Sequence, residues 1–414
     1  MLYYLFAKQI MGDRILSYIK GGYNMVTGDS AYIKKLNRGL ILQKIIQHGL
    51  ISRAEISKIT GLNKATISAQ VAELIDEKLI TETQMEHHTV GRRPIMLSIN
   101  GSAGYVLGID LDYKEIKYRI SDLQGNLIET EIEIIDTEVY EEIVEILSEH
   151  IQKYKQKYSA CHFGLVQTII GVHGTVNNDE WIQFIPRLEW TNKDLKADLE
   201  RVIDMNISIE NTANLSVYAE RVYQFPESDN ILGIVLSSGI GAGIINDGKL
   251  IKGRDGYAGE IGHMIISPYG GECKCGNQGC WELYAAEPVA FSQLMERLDR
   301  PNLSYEDIRQ LIEANDSTTI DIMKTFILYV SIGLNNMINS YNPEMLIINS
   351  ELLKLYPNAI QEIEENLRSS VSVYQQIVLS DLGKDASVLG ACALAIQNFF
   401  EVDEVIFPKE KVIA

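Results

Sequence analysis

Three of the five cysteines, Cys273, Cys275 and Cys280, fall within eight positions, whereas Cys161 and Cys392 stand alone. In a reducing compartment such a cluster points to thiolates holding a metal before it points to disulfides, and the two isolated cysteines read as core residues. A second group of residues carries a different chemistry. Lys64, Thr66, Ser68, Ala69 and Gln70 crowd the start of a helix expected over 64–77, whose apolar face is Ile67, Val71, Leu74 and Ile75. Polar side chains at the exposed N-terminal end of such a helix are what a helix-turn-helix places in the major groove of DNA.

The elements that must present that helix can be read around it. Leu36, Leu40, Ile41, Ile45 and Ile46 form one stripe of a first helix over 34–48, which Gly49 ends. Ser52 with Glu55 three residues on is a capping box, opening a short second helix that stops at Gly61. Gly61, Leu62 and Asn63 make the turn, and Asn63 caps the third helix. Residues 79–83 and 95–99 then alternate as two strands around a polar hairpin containing "VGRRP", a wing whose Arg92 and Arg93 reach phosphates or a narrow minor groove. The expected DNA contacts are Ser52, Arg53, Lys64, Thr66, Ser68, Gln70, Arg92 and Arg93. Helix-turn-helix proteins commonly dimerise over two half-sites, so a homodimer or homotetramer on double-stranded operator DNA is expected.

Charge divides the chain in the same place. Its 414 residues carry a formal charge of -19, which spread evenly would argue against a nucleic-acid partner. Residues 25–100 instead hold ten Lys and Arg against seven Asp and Glu, leaving the rest strongly acidic. Such asymmetry marks a DNA-reading segment joined to a domain with another partner. No run approaches a membrane span and no cleavage site follows an apolar N-terminal stretch, so a cytoplasmic location is expected. Residues 1–24 show neither cap nor stripe and are read as a non-native extension. Residues 20–25 can be encoded as a ribosome-binding sequence followed by a start codon, which makes Met25 the expected initiator.

Beyond Asn100 strands alternate with helices. "YVLGIDL", "EIKYRISDL" and "NLIETEIEII" form a meander, "EEIVEILSEHIQKY" a helix, and "FGLVQTIIGVHG" a buried strand running into a turn. "NISIENT", the helix "ANLSVYAERV" and the strand pair "ILGIVLSSGIGAGIINDGKL" follow. A long helix over 320–339, the strand "EMLIINS", a helix from Asn358, the strand "QIVLSDL" and the apolar helix "SVLGACALAIQNFF" close the chain. The pattern predicts a mixed α/β fold in two lobes.

"AGEIGHMIISPYGGECKCGNQGCWELYA", residues 258–285, resembles the signature of the ROK family, which contains bacterial sugar kinases and repressors. The resemblance extends over nearly the whole chain after residue 30 and leans towards the xylose repressors. It implies a winged helix-turn-helix over 25–100 and a two-lobed, actin-like sugar-kinase fold over 101–414. The first lobe would take 101–212 and the C-terminal helix, and the second 213–385. It implies that His263 joins Cys273, Cys275 and Cys280 in a closed Cys3His set for structural zinc, with Gly276 and Gly279 letting the loop wrap the ion. The family's sugar contacts fall on His173, Asn211, Glu260, His263 and Glu282.

Two departures from the kinases concern catalysis. Asn211 is followed by Thr212 where they carry the aspartate that takes the hydroxyl proton, and a threonine hydroxyl is far too weak a base. The first phosphate loop should read Asp-x-Gly-Gly-Thr, yet Asp112 and Tyr113 stand where its glycines would approach the nucleotide. Gly-rich "SSGIGAG" resembles the second phosphate loop, a weak signal by itself. The expectation is a repressor released from its operator by a small sugar, xylose leading, and not an enzyme. A sugar kinase with an appended DNA module and a repressor controlled by a protein partner are the alternatives.

Overall fold

The computed structural model describes residues 30–84 and 95–408. The proposed start at Met25 and the wing residues Arg92 and Arg93 lie outside the described residues.

The N-terminal unit begins with α1 (Ser30–His48), β1 (Ile51–Ser52), α2 (Arg53–Thr60) and α3 (Lys64–Asp76). Both expected caps form. The Ser52 hydroxyl accepts from the Glu55 amide while the Glu55 carboxylate accepts from the Ser52 amide, and Asn63 accepts from the Thr66 amide at 2.8 Å. Gly61 ends α2 in the left-handed region, at φ 71°. Strands β2 (Ile80–Gln84) and β3 (Ile95–Ile99) pair antiparallel with Thr81 opposite Ser98, and β1 adds to the far edge of β3.

Two details of this unit correct the sequence reading. Leu36 is 52% exposed, because the buried stripe of α1 starts one turn later and passes through Ile41, Leu42, Ile45 and Ile46. Gln70 was placed among the DNA contacts, yet it is buried, three residues after Ile67 and beside Val71 on the inward face of α3.

The next sheet is built from β4 (Gly104–Leu111), β5 (Glu115–Asp122) and β6 (Leu127–Ile134), then β7 (Gly164–Val172) beyond helix α4 (Tyr140–Lys157). A small antiparallel sheet of β8 (Thr175–Val176), β9 (Ile182–Ile185) and β10 (Trp190–Lys193) projects next, a feature the sequence reading left unassigned. Helix α5 (Leu195–Glu200), β11 (Ile207–Asn211) and α6 (Thr212–Ala219) follow. The large sheet has the order β11-β7-β4-β5-β6, with β11 and β4 parallel to β7. Helix α4 covers one face with Tyr140, Ile143, Leu147, Ile151 and Tyr154, which recur at the three-to-four-residue spacing of an amphipathic helix.

The second sheet contains β12 (Ile231–Leu236), β13 (Ile240–Asn246) and β14 (Lys249–Leu250). Helices α7 (Glu282–Ala285), α8 (Glu287–Leu298), α9 (Tyr305–Glu313) and α10 (Ser317–Tyr341) precede β15 (Met345–Asn349), α11 (Glu351–Lys354), α12 (Ala359–Asn366), β16 (Gln376–Leu379) and α13 (Ala386–Phe400). Its order is β14-β13-β12-β15-β16. By length and composition α10 could cross a membrane, contrary to the sequence reading. Here Ile322, Met323, Phe326, Ile327, Val330 and Leu334 face the second core.

Helices α6 and α13 join the two halves. Leu215 of α6 packs with α13 and the first sheet, while Val217 faces the second sheet. The two helices cross so closely that a Cβ at Gly390 would lie 1.9 Å from the Leu215 carbonyl oxygen. Side chains of α13, α6, the helix-turn-helix and the tail after α13 form one continuous apolar cluster. Gly390→Ala forces these backbones apart and should lower stability by about 1–3 kcal/mol, the usual range for overpacking. The urea midpoint reads this, and an unchanged midpoint contradicts so tight a crossing.

Candidate functional site

Two adjoining cavities open between the lobes. The smaller, about 140 Å³, is lined by His173, Gly174, Thr175, Asn211, Thr212, Glu260, His263 and Glu282, with Phe184, Pro186 and Arg187 reaching in from the small sheet. All five residues assigned to the sugar in the sequence therefore border one pocket. The larger, about 690 Å³, runs past Asp110, Asp112, Tyr113, Thr212 and Ser387 towards Phe291, Met295 and Tyr305. His173, Arg187 and Thr212 border both.

Each polar side chain is held by a particular local device. Asn211 caps α6, accepting from the Ala213 amide at 2.7 Å, and its amide nitrogen donates to the Gly174 carbonyl at 2.7 Å. That amide ties the helix start to the His173 turn. Glu260 precedes a short 3-10 turn, Ile261–His263, and accepts from the Thr175 hydroxyl across the cleft at 3.2 Å. Burial raises the Glu260 carboxyl above its ordinary range. Glu282 begins α7, and its Oε1 lies 3.2 Å from Cys273 Sγ and 3.4 Å from His263 Nδ1, placing a pocket carboxylate beside the thiol cluster.

The ligand atoms of His263, Cys273, Cys275 and Cys280 all lie within 4.8 Å of one another. Cys273 Sγ is 3.6 Å from His263 Nδ1, and Cys275 Sγ is 3.6 Å from Cys280 Sγ. Tetrahedral zinc with Zn–S bonds of about 2.3 Å has S···S edges of about 3.8 Å, so the donors present fit such an ion. Gly276 and Gly279 sit at φ 94° and 75°, and a Cβ at Gly279 would meet the Ser267 carbonyl at 1.8 Å. With Nδ1 facing the cysteines, His263 keeps Nε2 as its second polar atom.

The polar floor of the cleft is an ion pair that the sequence reading missed. His173 Nε2 stands 2.8 Å from Asp110 Oδ1, and the other Asp110 oxygen accepts from the Ser387 hydroxyl. Burial opposes both charges, but their attraction and the shared hydrogen bond prevail: His173 is pushed up to about 9 and Asp110 is held below the usual carboxylate range. Asp112 accepts from the Tyr113 amide at 2.7 Å, and the Arg187 guanidinium sits 5.3 Å over the Tyr113 ring. Acidic and aromatic groups thus occupy the turn between β4 and β5. No sequence signal joined Asp110 to Ser387, which are 277 positions apart. The unassigned 175–193 stretch hid Phe184 and Arg187, because "WIQFI" shows no period-2 alternation that would mark it as a strand.

In the helix-turn-helix, Lys64 and Ser68 are exposed and Thr66 is half-buried at the start of α3. Arg53 pairs with Glu82 of β2, and the Ser52 hydroxyl donates to Glu55 at 2.8 Å.

A winged helix followed by two lobes around a polar cleft defines a class in which a DNA-reading module is fused to an actin-like, sugar-kinase-type domain. The ROK family pattern matches residues 106–398, and the chain belongs to the ROK family. It is 34% identical over 383 residues to the xylose repressor of Bacillus subtilis, covering 91% of this chain and 99% of that one. The crystal structure of a ROK family transcriptional regulator, a homolog of the E. coli Mlc protein, superposes with TM-score 0.77 at 26% identity over 89% of this chain and 97% of that one. A ROK family glucokinase from Streptomyces griseus, solved with glucose and AMPPNP, shares the fold of the two lobes at 23% identity, with TM-score 0.63 over 71% of this chain and all of that one.

Two measurements follow from this geometry. Cys275→Ser should sharply lower the metal carried by the purified protein, and full metal content by mass spectrometry would remove Cys275 from the cluster. Because His173 titrates higher in the fold than its unfolded value of about 6.5, its pairing stabilises the fold fully below that pH and is lost as pH climbs through about 9. Urea unfolding from pH 6 to 10 should show this decline in the wild type and a flatter profile in His173→Gln; parallel profiles contradict the charged pair.

Proposed function

We propose that this protein represses sugar-utilisation genes, reading operator DNA through its winged helix and releasing it when a small sugar, with xylose the leading candidate, fills the pocket of Glu260 and Glu282. The observation that carries this reading is the pocket itself. Two carboxylates, two imidazoles and the Asn211 amide converge on one small cavity, a donor and acceptor set suited to adjacent hydroxyls, and Thr212 stands where phosphoryl transfer would need a base. The name of the Bacillus subtilis relative supports the same reading.

In this reading the winged helix takes 25–100, the first lobe 101–212 with the C-terminal helix, and the second lobe 213–385. DNA contacts fall to Lys64, Thr66 and Ser68, to Arg53 once freed from Glu82, and to Arg92 and Arg93, which lie outside the described residues. Ser52 serves α2 as its cap. Sugar contacts fall to His173, Asn211, Glu260, His263 and Glu282. Zinc held by His263, Cys273, Cys275 and Cys280 is structural, since four protein donors leave no open position, and it sets Glu282 and His263 at the pocket wall. The protein works in the cytoplasm as a homodimer or homotetramer and does not phosphorylate its sugar.

Release requires that the sugar bind the DNA-free arrangement better than the DNA-bound one, since equal affinity shifts nothing. Operator binding to DNA upstream of its own gene, titrated with xylose, glucose and N-acetylglucosamine, tests the proposal. Release by one free sugar is the expected result, and Glu260→Ala should keep operator affinity while losing that response. ATP-dependent phosphorylation of the sugar would overturn the non-enzymatic reading, and operator binding that no sugar alters would favour control by a protein partner.

A further inference from the structure

The pocket and the DNA-reading unit are joined by one helix. His173 borders the small pocket and bonds Asp110, and Asp110 accepts from the Ser387 hydroxyl in the first turn of α13. Every residue of α13 from Ala386 to Ala393 is buried. Its 15 residues span about 22 Å at 1.5 Å each, a single rod with no proline to bend it. At the far end Phe399 and Phe400 face Gly39, Leu42 and Leu79, and Glu401 pairs with Lys35 of α1. Val402, Val405 and Phe407 continue into the same apolar cluster as Ile41 and Ile45.

The two ends of this rod are packed differently. Near the cleft, α13 lies against β4 so tightly that a Cβ at Gly108 would meet the Val388 carbonyl at 2.6 Å. Where it reaches α1, an open surface groove of about 440 Å³ runs among Lys35, Arg38, Leu42, Leu79, Phe163, Phe399 and Glu401. A displacement at Ser387 would thus be passed along the helix by its tight packing on β4, and the groove beside α1 leaves solvent-filled space into which α1 could shift.

We propose that Asp110 and Ser387 are positioning residues that transmit occupancy of the pocket to the winged helix, through His173 at one end and α13 at the other. The proposal rests on reading the pocket as the sugar site. A sugar hydroxyl that claims His173 turns the imidazole away from Asp110. The carboxylate, left without its charged partner, resettles, and Ser387 moves with it. The pair is largely shielded from solvent, with the His173 and Asp110 side chains 23% and 12% exposed, and Ser387 behind it is buried, so making and breaking it rearranges packed neighbours.

The test uses the full chain, its operator DNA and the sugar from the panel that releases it best, in wild type and Ser387→Ala. Calorimetry reads sugar affinity and fluorescence anisotropy reads operator affinity with and without sugar. Wild type should lose operator affinity by about fivefold or more on saturation with sugar. Ser387→Ala should bind sugar and operator separately within about threefold of wild type, while the sugar changes its operator affinity by less than about twofold. A defect of folding alone would not spare both affinities and remove only their coupling. Hydrogen exchange across α1 reads the same step without DNA: sugar alters it in wild type and not in the variant. Asp110→Asn, which keeps shape and removes charge, should behave as Ser387→Ala does. Full release by either variant overturns the relay while leaving the sensing reading standing. A wild type that no sugar in the panel releases overturns both.

Discussion

The crossing of α6 and α13 at Gly390 is the constraint on which the rest of the molecule depends. Without a side chain there, two backbones approach within contact distance, and both helices start at the cleft. Helix α6 then begins at Asn211, whose amide holds the His173 turn, and α13 begins beside Ser387, whose hydroxyl holds Asp110. Each helix leaves the cleft with apolar side chains already committed to a sheet, Val217 against the second and Cys392 against the first. The lobes are thus positioned by helix packing, and the polar groups between them need only complete the arrangement.

Those polar groups are also what supports the proposal that this cleft does not carry out phosphoryl transfer. A nucleotide cradle requires backbone amides brought close to phosphate and a base near the acceptor hydroxyl. Here Asp112 is turned onto the Tyr113 amide, Tyr113 meets Arg187, and Thr212 occupies the helix start. Asp110 and His173 neutralise one another at its floor. Removing one partner of such a shielded pair leaves an uncompensated charge, which is typically more costly than the pair is favourable.

Much of this was legible in the sequence because it rests on local rules. The Ser52–Glu55 box, the Gly61 stop and the Asn63 cap depend on residues within four positions of one another, and each forms. The cysteine cluster was equally local, and the fourth donor came from the family resemblance. What failed depended on tertiary placement. Gln70 looks polar and groove-facing until the angle of α3 against α1 is known, and Leu36 shows that a stripe does not state where burial begins. The small sheet that brings Phe184 to the pocket is built from strands of two to four residues, too short for periodicity to resolve. Asp110 and Ser387 meet only because the chain returns to the first sheet in its last helix.

That return also determines what kind of regulator the fold permits. If the winged helix hung on a flexible linker, events in the cleft could reach it only through a change in the spacing of two subunits. Instead Ile41 and Ile45 of α1 share one apolar cluster with Ala391 and Ile396 of α13 and with Val405 and Phe407 beyond it. A continuous close-packed core resists gradual deformation, so a disturbance at one edge is met either by none of it or by a discrete reseating where packing is loosest. On this path an open groove separates part of α1 from the end of α13. Coupling of about 1–3 kcal/mol, the ordinary range for linked sites, is comparable to making or breaking a few hydrogen bonds, and the Asp110 junction contains two.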